Sequence, residues 1–352
     1  MNAVTAEHPR LRRASGFPVT ALAALLFVAA IIGMASGAMP LGAGEVVGAL
    51  WRWLTGQAMQ ADDAVVLMLR LPRVLMAALV GAALACSGAT MQGLFRNPLV
   101  EPGLVGVSAG AALGAIGMIV LGGGVLSVLP RVLASFGVAT AGFVGGLAAT
   151  AVVYLIGSRR PGVATLLLAG VAINAIAMAG VGALTFVANE HQLRDLSFWT
   201  LGSLGGTDWS RFFAVAPLMV LPLCLLPRHA RALNALLLGE QEAALLGFHP
   251  ERLRRQLIVW AALATSAAVA MCGVIGFVGL LVPHVVRMAW GPDHRLLLPA
   301  SALIGASLLI GADAVARVVV APAELPIGVI TALLGGPFFL WLLLRLRIGE
   351  ST

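Results

Sequence analysis

Asp313 and Arg317 stand four residues apart in an apolar stretch, and Arg70 and Arg73 bracket Pro72 at the head of another. An i,i+4 spacing puts an acid and a base on one helix face, where they pair. Charges inside apolar helices are costly and mark function or mutual neutralisation. A proton relay through Asp313 is one reading; structural neutralisation by Arg317 is the other. Arginines in short loops attract carboxylates, often through two hydrogen bonds at once. Arg70, Arg73 and Arg317 therefore read as an exposed docking surface for an acidic partner, with lipid headgroups as the competing contact.

No HExxH, no GxSxG and no paired-carboxylate motif occurs, which argues against hydrolytic chemistry. The histidines at 8, 191, 229, 249, 284 and 294 are scattered. His191 is the one placed to touch a metal-containing solute. His284, beside Pro283, reads first as a packing or hydrogen-bonding group. Cys86, Cys224 and Cys272 sit singly in apolar runs and read as small buried thiols. No metal site and no bound cofactor is expected.

The elements that must position these residues are membrane helices. Of 352 residues, 60% are hydrophobic and 11% charged, against about 25% charged in a soluble domain. The apolar runs are long and unbroken, which excludes the alternating strands of an outer-membrane barrel. At about 20 residues per span plus a loop, there is room for about ten spans. They are expected at 17–38, 72–94, 103–122, 133–156, 164–187, 211–227, 256–275, 278–290, 296–319 and 326–344, the eighth short and interrupted by Pro283. The fold class is all-α, a polytopic membrane protein with one transmembrane domain over 1–352, a tail at 1–16 and a polar loop at 228–255. The apolar stretch from Phe17 is longer than the 7–15 residues or so of a signal-peptide core, so it reads as an uncleaved first span.

All 22 basic residues are Arg and none is Lys. A phosphate-gripping P-loop needs a Lys, so any ATP driving this chain is bound, with Mg, by another subunit. With the N-terminus in the cytoplasm and alternating spans, about 15 arginines fall inside and 7 outside. That asymmetry favours cytoplasmic N- and C-termini. It also explains the net charge of +7 without nucleic acid. Among the 42 glycines, Gly106, Gly110 and Gly114 face packing roles, as do Gly142, Gly145 and Gly146, because helices in lipid associate by close approach at small residues. The loop at 228–255 reads as two short helices, Leu233–Gly239 and Glu240–Leu246, closed by Gly247 and Pro250. Glu240 and Glu242 fall in the first turn of the second, where the helix dipole favours acids. A compact cytoplasmic pair of this kind fits docking onto a partner.

Several stretches in order carry a resemblance. They are Arg70-Leu71-Pro72-Arg73, Gly81-Ala82-Ala83-Leu84, Met91-Gln92-Gly93-Leu94-Phe95-Arg96-Asn97-Pro98-Leu99, Glu101-Pro102-Gly103-Leu104, Gly276-Phe277-Val278-Gly279-Leu280, Val282-Pro283-His284 and Ala323-Glu324-Leu325-Pro326-Ile327-Gly328. Together, from about residue 65 onward, they resemble the FecCD family of ABC importer permeases, which take up iron–siderophores, heme and cobalamin. The resemblance implies a homodimer of ten-span subunits in the bacterial inner membrane. It also implies two cytoplasmic ATPase subunits and a periplasmic binding protein that delivers the solute. By resemblance, Arg70, Arg73 and Arg317 meet acids of the binding protein, and Asn97 and Leu99 line the cytoplasmic gate. Val163 and Ala164 match a second gate segment by position, with apolar residues where the family carries polar ones. Leu238, Gly239, Glu240, Glu242, Ala243, Leu246 and Gly247 match the ATPase-coupling helices. Leu166–Asn174, Phe198–Gly205 and Leu333–Leu340 look like heme permeases, whereas Thr207-Asp208-Trp209 is also similar to the cobalamin type. Heme is therefore the expected solute, with cobalamin or a ferric siderophore as the alternative. An ion-coupled secondary transporter is the more distant reading.

Overall fold

The computed structural model describes residues 17–349, apart from 38, 40, 129, 131–133 and 160–162. The expected tail at 1–16 and the first residue of the span placed at 133–156 fall outside them. The described residues are helical with no strand. Seven helices are long and apolar enough to cross a membrane, and three shorter apolar ones accompany them at Val107–Leu121, Val278–Trp290 and Ile327–Leu342.

The bundle is built around α3 (Leu71–Phe95), whose residues are almost all buried from Val80 to Phe95. A π-wound stretch, Val65–Arg70, leads into it. Pro72 falls where the π-wound stretch passes into α3, and the Trp209 side chain donates to the upstream Leu67 carbonyl at 2.9 Å. The helix ends at Arg96, which adopts a left-handed φ of 50°. The Arg96 and Asn97 N–H groups then donate to the carbonyls of Gly93 and Gln92, at 3.3 and 3.1 Å. This closure satisfies carbonyls that the helix itself leaves open.

Around α3 lie α1 (Phe17–Ala35), α8 (Trp209–Leu225), α11 (Pro250–Cys272), α12 (Val278–Trp290) and α13 (His294–Val318). A second group, α4 (Val107–Leu121), α5 (Gly137–Arg159) and α6 (Val163–Val187), packs on α11. The last helix is α14 (Ile327–Gly349). Glycines set the closest crossings. A Cβ on Gly81 would strike the Gly305 carbonyl, and one on Gly110 the Gly145 carbonyl. A Cβ on Gly88 would come within 2.5 Å of the Gly279 carbonyl carbon. Backbone approach of this kind replaces the hydrophobic drive that lipid cannot supply. Gly88→Val is expected to cost about 1–3 kcal/mol or more by forcing α3 and α12 apart. Gly44→Ala, facing open space, is expected to be neutral or slightly stabilising. Unfolding midpoints in detergent compare the two, and equal midpoints would contradict the close packing.

Three local features differ from the sequence-based expectation. Pro283 does not interrupt its helix: α12 runs unbroken through it, and the irregular stretch lies upstream at 273–277. Proline at 283 cannot donate to the Gly279 carbonyl, and the Gln92 side chain donates there instead, at 3.3 Å. Among the short helices outside the expected spans, the two longest not anticipated are α2 (Ala43–Thr55) and α7 (Glu190–Leu201). In α7, Asn189 and Gln192 cap each other's backbone N–H groups, both at 3.0 Å. Asn followed three residues later by Gln was a readable start signal. Finally, Cys224 is exposed, while Cys86 and Cys272 are buried; none forms a disulfide.

Candidate functional site

At one end of the bundle, Arg70, Arg73 and Arg317 come together, but not as free surface groups. Arg70 and Arg317 are each 6% exposed. Arg70 donates to the carbonyls of Met34 at 2.6 Å, Ala35 at 2.9 Å and Met39. Arg317 donates to Ser36 at 2.6 Å and Gly33 at 2.7 Å. Both guanidinium groups thus serve the carbonyl-rich C-terminal end of α1, where a helix dipole favours cations. The expectation of exposed arginines is corrected on this point. Hydropathy places a lone charge outside, whereas α1 brings unsatisfied carbonyls inside.

Asp313 lies between Arg73 and Arg317. Its carboxylate accepts from Arg73 Nη2 at 2.9 Å and from Arg317 Nε at 3.0 Å. The i,i+4 pair read from the sequence is therefore present, inside a larger network. Arg73 also grips Glu324 through both oxygens, at 2.8 and 2.9 Å. Those hydrogen bonds hold Glu324 below the usual carboxylate range, although its burial works the other way. The Glu324 side chain is 43% exposed and that of Arg73 14%, so this pair forms the outer rim. Glu324 stood in the sequence only as part of a motif, and nothing in its spacing revealed Arg73 as its partner. A second bidentate clamp, Arg52 to Asp63 at 2.8 and 2.6 Å, ties α2 to the segment before α3. Neither residue stood out in the sequence.

At the other end of α13, Asn234 of α9 (Ala230–Leu238) accepts from the His294 N–H at 2.9 Å and donates to Asp293 at 2.6 Å. Burial would raise the Asp293 carboxyl, but hydrogen bonds from the Arg295 N–H and Asn234 bring it below the ordinary value. Gly239, at a φ of 144° open to glycine, separates α9 from α10 (Glu240–Leu245). Ala243 is fully buried and anchors α10, and Glu240 pairs with Arg254. Gly247 (φ 87°) ends α10, with the Phe248 N–H donating to Ala243 at 3.1 Å. Leu238, Leu245 and Leu246 are 68%, 89% and 61% exposed. The two short helices expected at 233–239 and 240–246 are present, the first starting earlier at Ala230 and each ending one residue sooner, with an apolar outer edge.

Asn97 and Leu99 follow α3 in one tight turn, in which Asn97 Oδ1 accepts the Leu99 N–H at 2.9 Å. Leu99 is 43% exposed. Ala164 is exposed in the first turn of α6, and the Val163 side chain is outside the described residues. A cavity of about 450 Å³ lies between α3, α4, α6 and α11, lined by Glu101, Asn174, Thr265 and the 274–276 backbone. His284 is edge-on to Phe338, with ring centroids 6.0 Å apart, in a packing role. His191 is exposed and pairs with Asp195 at 3.2 Å. Among the described residues, no three His, Cys, Asp or Glu side chains gather as metal ligands would. Asp208 caps α8 by accepting the Arg211 N–H at 2.7 Å, and Trp209 donates to Leu67 O at 2.9 Å. The Thr207-Asp208-Trp209 stretch thus caps α8 and ties it to the segment before α3.

Comparison with known proteins gives the same architecture. The chain is 49% identical over 304 residues to the hemin transport system permease protein HmuU of Yersinia pestis, covering 86% of this chain and 89% of that one. It is 39% identical over 344 residues to the vitamin B12 import system permease protein BtuC of Klebsiella pneumoniae, covering 98% of each. A cobalamin import system permease protein of Halobacterium salinarum is 45% identical over 277 residues, 78% of this chain and 72% of that one. A solved ABC transporter chain in an inward-facing conformation superposes with a TM-score of 0.80 at 32% identity, over 93% of this chain and 98% of that one. The model of the FecCD transport family matches residues 24–345, and with relatives this similar along nearly its whole length, the chain belongs to that family.

Proposed function

We propose that this chain is the heme-conducting permease subunit of an ATP-driven importer in the bacterial inner membrane. The observation that carries the solute is the 49% identity to a hemin permease over 86% of the chain. All ten apolar helices cross the bilayer, with both termini cytoplasmic, and two copies enclose one path. The chain binds no cofactor of its own; ATP and Mg belong to the ATPase partner. The cobalamin reading is the alternative, favoured by the 45% identity to a cobalamin permease. An ion-driven carrier is disfavoured by Asp313, whose carboxylate is held by two guanidinium groups and is no open proton site.

In this reading the exposed leucines of α9 and α10 meet the ATPase. Their movement reaches the outer arginine cluster through α13, a helix of 25 residues, roughly 37 Å long. Rigid helices moved at one end open and close gates at the other. Asn97, Leu99, Val163 and Ala164 form the cytoplasmic gate. The outer cluster holds three arginines (Arg70, Arg73, Arg317) against two acids (Asp313, Glu324). The surplus of one positive charge favours an acidic face of a periplasmic binding protein. Arg73→Glu, at the rim, is expected to remove stimulation of ATP hydrolysis by the binding protein; undiminished stimulation would reject the docking role.

Reconstitution with the ATPase and binding protein in liposomes tests the solute. ATP-dependent uptake is expected to be fastest for heme, compared with cyanocobalamin and a ferric siderophore. Heme uptake no faster than the others sinks the heme reading, and uptake without the ATPase sinks the importer reading.

A further inference from the structure

The cavity of about 450 Å³ lies where two irregular backbone segments meet. One is the 3-10 turn Pro102–Val105, which precedes α4. The other is the 273–277 break before α12. Gly279 packs against the Leu84 carbonyl, near the middle of α3, and against Pro102. Asn174, near the middle of α6, donates to the Gly103 carbonyl at 3.1 Å. Both irregular segments therefore reach the depth of the bilayer core. Non-helical backbone at that depth is tolerated only inside protein or against water.

Three polar groups in the lining decide between a dry and a wet cavity. The Thr265 hydroxyl belongs to a residue 2% exposed and has no hydrogen-bond partner. The Asn174 Oδ1 is buried and equally unpaired. The Glu101 carboxyl joins them, while Leu84, Met178 and Val181 supply apolar wall. Unpaired buried oxygens next to a space of this size call for water or a ligand. Among the described residues no Arg, Lys or His lines the cavity, so none of them neutralises an ionised carboxylate there.

We infer that this cavity is a water-filled subsite of the solute path, where Asn174, Thr265 and Glu101 receive hydrogen-bond donors of the passing solute, such as amide, hydroxyl or metal-bound water. The inference rests on the transport reading above. It adds that a solute's ionised carboxylates travel elsewhere while its neutral edge and apolar face pass here. Neutral hydrogen bonds suit a path that must release its cargo.

The test uses the reconstituted complex with Cys224→Ser and either Thr265→Cys or Asn174→Cys. A charged methanethiosulfonate is expected to label both positions, and hemin or cyanocobalamin, whichever is carried, to slow labelling during turnover. Separately, Asn174→Leu is expected to raise the uptake KM roughly threefold to tenfold, as loss of one hydrogen bond implies. Failure of both cysteines to label, or labelling unaffected by a solute that is being carried, overturns the subsite. An unchanged KM overturns the role of Asn174. Protection by cyanocobalamin with no heme uptake would keep the subsite and remove only the heme reading.

Discussion

Asp313→Ala is expected to destabilise the folded chain by about 3–5 kcal/mol, because it leaves buried cations without their anion. Asp313 is 1% exposed and, among the described residues, is the only carboxylate in an ion pair with Arg317, at 3.0 Å. Arg73 would keep Glu324, but Arg317 would keep neutral carbonyls alone among the described residues, those of Gly33 and Ser36 and a longer contact at 3.4 Å to the backbone of residue 313. The Gly33 and Ser36 carbonyls hold α1 against α13, so the damage spreads to the packing of the first helix. Glu324→Gln is the contrasting change. Its side chain is 43% exposed, water can replace the lost partner, and exposed pairs contribute about 0–1 kcal/mol. Unfolding midpoints of the two purified variants in one detergent give the comparison. If Asp313→Ala is no worse than Glu324→Gln, the buried cluster does not hold the helices together.

The contrast between those two acids was invisible in the sequence. Periodicity pairs Asp313 with Arg317 because four residues close one helical turn. It says nothing of Arg73, which lies 240 residues away, nor of the α1 carbonyls that receive Arg70 and Arg317. Local signals fared better. The short helices on either side of Gly239 and the bounds of α12 at 278–290 follow from glycine placement and hydropathy alone. The amphipathic α2 was missed because a search for unbroken apolar runs passes over a helix that buries only Val46 and Ala49. The break at 273–277 was misplaced to Pro283 because proline marks a lost N–H. It cannot show that Gln92, nearly 200 residues upstream, takes over the orphaned carbonyl. The cavity was illegible for the same reason: Glu101, Asn174 and Thr265 are brought together by three separate helix packings, not by spacing.

The second large effect belongs to the leucines that local signals did find. Leu238 and Leu245 flank Gly239 and α10 and are exposed, whereas Ala243 between them is buried. A leucine held out on a helix whose inner face is anchored is costly in water unless a partner covers it. Leu245→Asp, combined with Leu238→Asp, is expected to weaken capture of the ATPase subunit by about 30-fold or more, since central apolar contacts of an interface are worth about 2 kcal/mol or more. The fold should survive, because neither side chain contributes to the buried core. Thermal unfolding of the permease alone is therefore expected to match the unchanged protein, while co-purification with the ATPase and ATP-dependent uptake are both lost. The order of events matters for the mechanism. If ATPase capture persisted but uptake were lost, the leucines would transmit motion without contributing to affinity. If both persisted, α9 and α10 would not be the coupling surface, and the path from ATP to the outer arginines would have to start elsewhere.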